Sequence, residues 1–208
     1  MSGVSHPSQP ERVAIFGGAF DPFHFGHVSA IRHLLASPHI DTVLVVPSGD
    51  RPDKRHLSGA MDRYEMARRG VGALFESDPR VAVSDLQASG RVGYGTIDLV
   101  EYFQHDPSKN VVIVIGHELL GDLERWREAE TLKKKATFLV MQRPGTEKPH
   151  VPTGWSVRVL EPFSDGGIEV SSTELREKIR KGESVDQLMP REVLAYCKER
   201  GLYSLIDG

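Results

Sequence analysis

Two histidines, His24 and His27, stand three residues apart in the segment Gly17-Gly18-Ala19-Phe20-Asp21-Pro22-Phe23-His24-Phe25-Gly26-His27. The segment follows a short apolar run, Val13-Ala14-Ile15-Phe16, that reads as a buried strand, and precedes a helical pattern with Val28, Ile31 and Leu35 on one face. Gly17 and Gly18 let the backbone turn tightly and come close to a ligand. A helix that begins near His24 carries both imidazoles on one face of its first turn. A glycine loop that opens into a helix N-terminus is an anion site, because unpaired N–H groups and the helix dipole both point at the ligand. With two imidazoles added, the pattern points to a nucleotide phosphate held while its charge changes. A zinc site on the same pair needs a third ligand; the lone Cys197 excludes a thiolate-rich site and leaves a His/carboxylate one open.

A second group with phosphate chemistry is Val170-Ser171-Ser172-Thr173-Glu174-Leu175-Arg176. Ser171 followed three residues later by Glu174 is a capping box, so a helix starts here. Arg176, one turn in, carries the planar fork that donates to phosphate oxygens in pairs. A third group, Arg51-Pro52-Asp53-Lys54-Arg55, is basic and follows an apolar run through Pro47. As a charge run it also reads as a solvated loop.

These groups need a scaffold, and the chain alternates strand-like with helix-like segments. Strands are predicted near 12–16, 42–46, 80–84, 110–115, 137–141 and 156–160, and helices near 26–36, 60–76, 96–104, 122–134, 172–181 and 190–200. Val43-Leu44-Val45-Val46 and Val111-Val112-Ile113-Val114-Ile115 are continuous apolar runs, as strands covered on both faces require. The rhythm predicts an α/β fold: a doubly wound parallel sheet with C-terminal helices, which binds ligands beyond the carboxyl ends of its strands. Gly182 suits a helix stop and Pro190 the first turn of the last helix. The Pro-, Gly- and Thr-rich stretch 142–155 reads as a loop, too short for a linker between domains. Polar, proline-bearing residues 1–10 read as a disordered tail and residues 11–208 as a single domain.

The 208 residues suffice for one α/β domain with a full core. A net charge of −3, with basic residues mixed among acidic ones, gives no nucleic-acid-binding face. One cysteine excludes an internal disulfide and fits a reducing compartment, the cytoplasm. No apolar run approaches the roughly 20 residues of a membrane span. Monomer and homodimer both remain open.

The glycine-histidine segment resembles the signature of the nucleotidyltransferase superfamily that carries the His-x-Gly-His motif. Within it, the chain is most similar to the nicotinate or nicotinamide mononucleotide adenylyltransferases, from about Arg12 to Tyr203. The resemblance implies a Rossmann-like nucleotidyltransferase fold and transfer of AMP from ATP to a pyridine mononucleotide, with pyrophosphate leaving. It assigns His24, His27, Lys54 and Arg176 to catalysis, with Mg²⁺ entering on ATP and no protein metal site. It assigns Gly17, Gly18, Ala19, Phe20, Gly116, Glu118, Ser171, Ser172 and Thr173, beside His24, His27 and Arg176, to ATP. It assigns Lys54, Arg63, Thr96, Trp126 and Arg143 to the acceptor. Several positions depart from the family's pattern. Ala19 stands where Thr is common, Asp53 where His is, Gly95 and Leu99 where Tyr and Thr flank Thr96-Ile97-Asp98, and His117-Glu118 where a small residue and Asp are usual. Trp126 resembles the Trp that stacks on the pyridine ring, and it also suits a core position. Arg127, beside it, replaces a frequent aromatic residue and offers charge to an acceptor carboxylate; the motif set is bacterial in style, so nicotinate is the expected acceptor, with nicotinamide left open beside it. Arg143-Pro144-Gly145 resembles a family turn, and Arg63 also suits a structural ion pair.

Other readings differ in what they require. A relative with another acceptor, such as phosphopantetheine or an alcohol phosphate, would lack the pyridine contacts at Thr96 and Trp126. A non-catalytic ATP sensor would not need both histidines and Arg176, and a hydrolase built on His24 and His27 would hold stoichiometric metal. An aminoacyl-tRNA synthetase shares the His-x-Gly-His logic but needs an anticodon domain and a basic face.

Overall fold

A computed structural model describes residues 10–50, 58–142, 150–162 and 170–203. The expected tail at 1–10 lies, except for Pro10, outside the described residues, as do Lys54 and Arg143. The chain forms β1 (Glu11–Gly18), α1 (Phe25–Ala36), β2 (Thr42–Pro47), α2 (Ala60–Phe75), β3 (Val81–Val83), α3 (Thr96–Phe103) and β4 (Lys109–Gly116). A 3-10 helix follows at His117–Arg125, then α4 (Ala129–Lys135), β5 (Thr137–Met141), β6 (Ser156–Leu160), α5 (Ser172–Arg180) and α6 (Arg191–Glu199).

The six strands form one sheet in the order β3-β2-β1-β4-β5-β6, every pairing parallel. Side chains alternate between its two faces, as the pleat dictates. Ala14, Phe16, Val114 and Leu139 pack on one side with α1, α2, α5 and α6. Ile15, Ile113, Ile115, Phe138 and Val140 pack on the other with α3, α4 and Trp155. Two covered faces explain why β1, β2, β4 and β5 read as unbroken apolar runs. The chain reverses direction across the sheet between β1 and β4, and a crevice opens there beyond the strand ends.

The expected helix at 122–134 is a correction. Leu120, Leu123 and Trp126 recur every three residues, the 3-10 period, and both leucines are buried. The backbone then leaves helix at Trp126 (φ −69°, ψ 150°), passes through left-handed Glu128 (φ 57°), and re-enters helix at Ala129. Ser171 caps α5 by accepting the Glu174 N–H at 3.1 Å. Gly182 (φ 69°) closes that helix, as expected, and Pro190 caps α6 one residue before its first turn.

Gly70, inside α2, is where helix and loop touch. A Cβ there would lie 2.7 Å from Phe23 Cε1, and closer to Cδ1, with Val193 on the other side. Phe23 is fully buried and has no room to yield. Gly70→Ala gains about 1 kcal/mol of helix propensity and suffers roughly 1–3 kcal/mol of overpacking, so a net loss is expected. Urea unfolding of the variant should show a lower midpoint at unchanged slope; a higher midpoint would refute the contact.

Candidate active site

A cavity of about 830 Å³ lies at the carboxyl ends of β1 and β4, a size suited to nucleotide ligands. Gly17, Gly18 and Ala19 line it from the end of β1, Gly116 and Glu118 from the end of β4, and Ser171 and Ser172 from the start of α5. His24, His27, Thr96 and Trp126 line it as well. The sheet therefore brings together most of the residues that the sequence singled out from scattered segments.

The histidines are held more tightly than spacing alone requires. His24 is the N-cap of α1 and not its first turn. Its Nδ1 accepts the Gly26 N–H at 3.1 Å, and the His24 N–H donates to Nδ1 of His27 at 3.1 Å. These are orphan donors of a helix start, satisfied here by imidazoles. The rings stack with centroids 3.7 Å apart and planes 25° from parallel. Phe23 stacks on the far side of His27 at 5.3 Å, and Phe20 meets its edge at 4.8 Å. Because both Nδ1 atoms accept, each neutral ring carries its proton on Nε2 and offers a donor there.

Burial keeps the pair neutral. It lowers the His24 pKa to about 4. It pushes His27 well below the ordinary value, and the neighbouring His24 adds to the shift. The unliganded site thus holds two neutral Nε2–H donors. A polyphosphate would favour their charged forms.

Phe20, assigned to ATP by the resemblance, is 1% exposed and does not line the cavity. It adopts φ 53° and turns its ring under Gly18, where a Cβ would sit 3.0 Å from Phe20 Cζ. Gly18 therefore makes room for Phe20, and Phe20 supports His27, while Gly17 has open space where a side chain would stand.

Arg63 is the second correction. It is fully buried and outside the cavity lining. It donates to the carbonyls of Ser58 (2.8 Å), Ser48 (2.5 Å) and Gly49 (3.2 Å), to Ser48 Oγ (3.0 Å) and to Asp50 (3.0 Å). All five guanidinium donors are used to fasten the chain after β2 onto α2. An arginine committed in this way has no donor left for an acceptor.

Arg176 and Thr173 are also absent from the lining. Arg176 Nη1 donates to the Asp21 carbonyl at 2.7 Å, and Nη2 to Thr173 Oγ1 at 3.1 Å. Ser172 Oγ donates to the Pro22 carbonyl at 3.1 Å. The start of α5 is thereby fixed against the residues that lead into His24. Trp126 is half-buried: it packs edge-on against Phe138 at 6.0 Å and also lines the cavity.

Sequence reasoning missed Gln87. It is 5% exposed, lines the cavity, and donates to the carbonyls of Gly93 (2.6 Å) and Gly95 (3.1 Å). It ties the loop after β3 to the start of α3, and a single glutamine in a loop carries no local signal of that. Departure His117 has a buried Nδ1 with no hydrogen-bond partner among the described residues, 3.5 Å from Glu118 Oε2. Among the described residues, no group of three or more His, Cys, Asp or Glu could hold a metal ion, and no helix is long and apolar enough to cross a membrane.

A buried neutral histidine leaves a mark on stability. Below pH 6.5 the unfolded chain protonates His24 while the folded protein, with its pKa about 4, does not. Stability should fall as pH drops from about 6.5 to about 4, by up to roughly 1.4 kcal/mol per pH unit for His24, and be unaffected by it above that window. Asn at position 24 keeps a cap oxygen for the Gly26 N–H and cannot titrate. Urea midpoints at pH 7, 6 and 5 should therefore fall less steeply in His24→Asn than in the wild type; parallel slopes would contradict the buried neutral state.

Residues 15–178 match the cytidylyltransferase-like family. Two relatives named "Probable nicotinate-nucleotide adenylyltransferase", from Opitutus terrae and Thermus thermophilus, are each 32% identical to this chain. The alignments cover 92% of this chain, and 97% and 99% of the respective relatives. A solved Plasmodium falciparum nicotinic acid mononucleotide adenylyltransferase, complexed with NaAD, superposes with a TM-score of 0.76 at 20% identity, covering 93% of this chain and 97% of that one. At that identity the likeness speaks for the fold. The parallel sheet, the histidine pair at its carboxyl edge and the matched length agree with one another, and the chain belongs to the cytidylyltransferase-like family of nucleotidyltransferases, beside relatives named as nicotinate-nucleotide adenylyltransferases.

Proposed function

We propose that the protein transfers AMP from ATP to nicotinate mononucleotide, giving the dinucleotide and pyrophosphate, as a cytoplasmic enzyme of NAD biosynthesis. The observation that carries this reading is the stacked His24–His27 pair, two neutral Nε2–H donors at a cavity lined also by the N-terminus of α5. The names of the relatives support the acceptor.

A phosphate oxygen of the mononucleotide attacks the α-phosphorus of ATP. The bond to the bridging oxygen of the β-phosphate breaks, and pyrophosphate leaves with that electron pair. No protein nucleophile is needed, so catalysis rests on positioning and electrostatics. His24 and His27 donate to phosphate oxygens on which charge builds, and proton uptake by a ring becomes easier as it does. Gly17 and Ala19 bring backbone to the nucleotide, while the free N–H groups at the start of α5, with Ser171 and Ser172, receive the β- and γ-phosphates. Arg176 holds α5 at the correct distance through Asp21. Lys54 and Arg143 add positive charge on the acceptor side by the family resemblance, and Trp126 offers its face to the pyridine ring.

Mg²⁺ fits as a passenger of ATP. It is small, strongly hydrated and retained by phosphate oxygens and water. When bound it neutralises phosphate charge.

Incubation with ATP, Mg²⁺ and nicotinate mononucleotide should yield dinucleotide and pyrophosphate in equal amounts. No product, with ATP still bound, would refute the reading. His27→Asn keeps an acceptor for the His24 N–H and removes the Nε2 donor. It should lower kcat at least about a hundredfold with a melting temperature within a few degrees of wild type; wild-type turnover would remove His27 from the chemistry.

A further inference from the structure

Arg127 enters the cavity from the irregular stretch between the 3-10 helix and α4, and it meets a seat on the opposite side, at the start of α3. Its guanidinium pairs with Asp98, which lies behind it and does not line the cavity. Asp98 is itself fixed, since Oδ2 accepts the Gly95 N–H at 2.9 Å. Cζ of Arg127 also lies 5.6 Å from the centre of the Tyr94 ring. The space that the guanidinium fills is the space above Gly95. A Cβ on Gly95 would come to 2.9 Å of Nη2 and 3.1 Å of Cζ and Nε, and those are its three nearest atoms. The backbone of Gly95 has φ −86° and ψ 157°, which any residue can adopt, so the missing side chain is not required by the turn. Gly95 and Arg127 therefore form a matched pair, in which the absence of one side chain creates the seat of the other. Trp126, its neighbour in the chain, lines the same cavity.

We propose that Arg127, seated over Gly95 and steadied by Asp98 and Tyr94, is the residue by which this protein selects an acceptor whose ring carries a carboxylate over one whose ring carries a carboxamide. This rests on the adenylyl-transfer reading above. A guanidinium forms charge-assisted, paired hydrogen bonds with a carboxylate and only neutral-acceptor bonds with an amide. The side chain is half-exposed and lines the cavity, it carries more donors than Asp98 can engage, and Asp98 orients the fork before the acceptor arrives.

The test compares kcat/KM for nicotinate mononucleotide and nicotinamide mononucleotide in the wild type, Arg127→Gln, Arg127→Lys and Gly95→Ala. Where amide turnover is below detection, its inhibition constant against the acid replaces it. The acid-to-amide ratio should fall about tenfold to a hundredfold in Arg127→Gln. It should recover at least in part in Arg127→Lys, which keeps the charge, and fall in Gly95→Ala, whose methyl group displaces the guanidinium. Loss of a merely structural contact would change both acceptors alike. An unchanged ratio in Arg127→Gln, or an equal fall in the Lys variant, overturns the proposal while leaving adenylyl transfer intact. A wild type that makes dinucleotide from neither acceptor overturns the adenylyl-transfer reading itself.

Discussion

Two backbone N–H groups at the start of α1, those of His24 and Gly26, hold the stacked histidine pair in place. Each needs an acceptor because a helix start leaves its first amides unpaired. Each finds one in an imidazole Nδ1. That choice settles the tautomer of both rings and directs their remaining donors away from the helix. Much nearby structure exists to permit it. Gly18 clears space for the Phe20 ring, left-handed Phe20 places that ring at the edge of His27, and Gly70 in α2 clears space for Phe23 on the other side. The same aromatic enclosure that orients the pair also holds it neutral.

The arginines divide the remaining work according to how their donors are used. Arg63 spends all five on the chain after β2 and serves the fold. Arg176 divides its donors between the Asp21 carbonyl and Thr173, and so sets the position of α5 against the loop that leads to His24. Arg127 has one carboxylate partner among the described residues and faces the cavity, so it retains donors for a ligand. Identical side chains thus differ as buried strut, spacer and cavity-lining cation, and burial together with partner count tells them apart.

Local readings survived where the physics was local. Apolar runs became strands covered on two faces, Ser171 became a cap, and Gly182 became a helix stop. They failed where distant groups decided the outcome. Leu120, Leu123 and Trp126 suit a 3-10 turn, yet nothing nearby in the chain says that the helix must break at Trp126 so that Trp126 and Arg127 reach the cavity. Gln87 shows no periodicity and no motif, because its partners are carbonyls of the next loop.

By itself the sequence determined the parallel α/β sheet, the glycine turn that leads into α1, the serine cap at the start of α5, and their order in the chain. Those follow from side-chain period, turn chemistry and caps, which act over a few residues. Only the tertiary structure decided that Arg63 is buried and spent, that Gly18 leaves room for a Phe20 ring that supports His27, and that Gly95 opens a seat for Arg127. Each of these depends on which carbonyl, ring or empty volume a side chain meets across the fold, and that is set by packing between elements far apart in sequence.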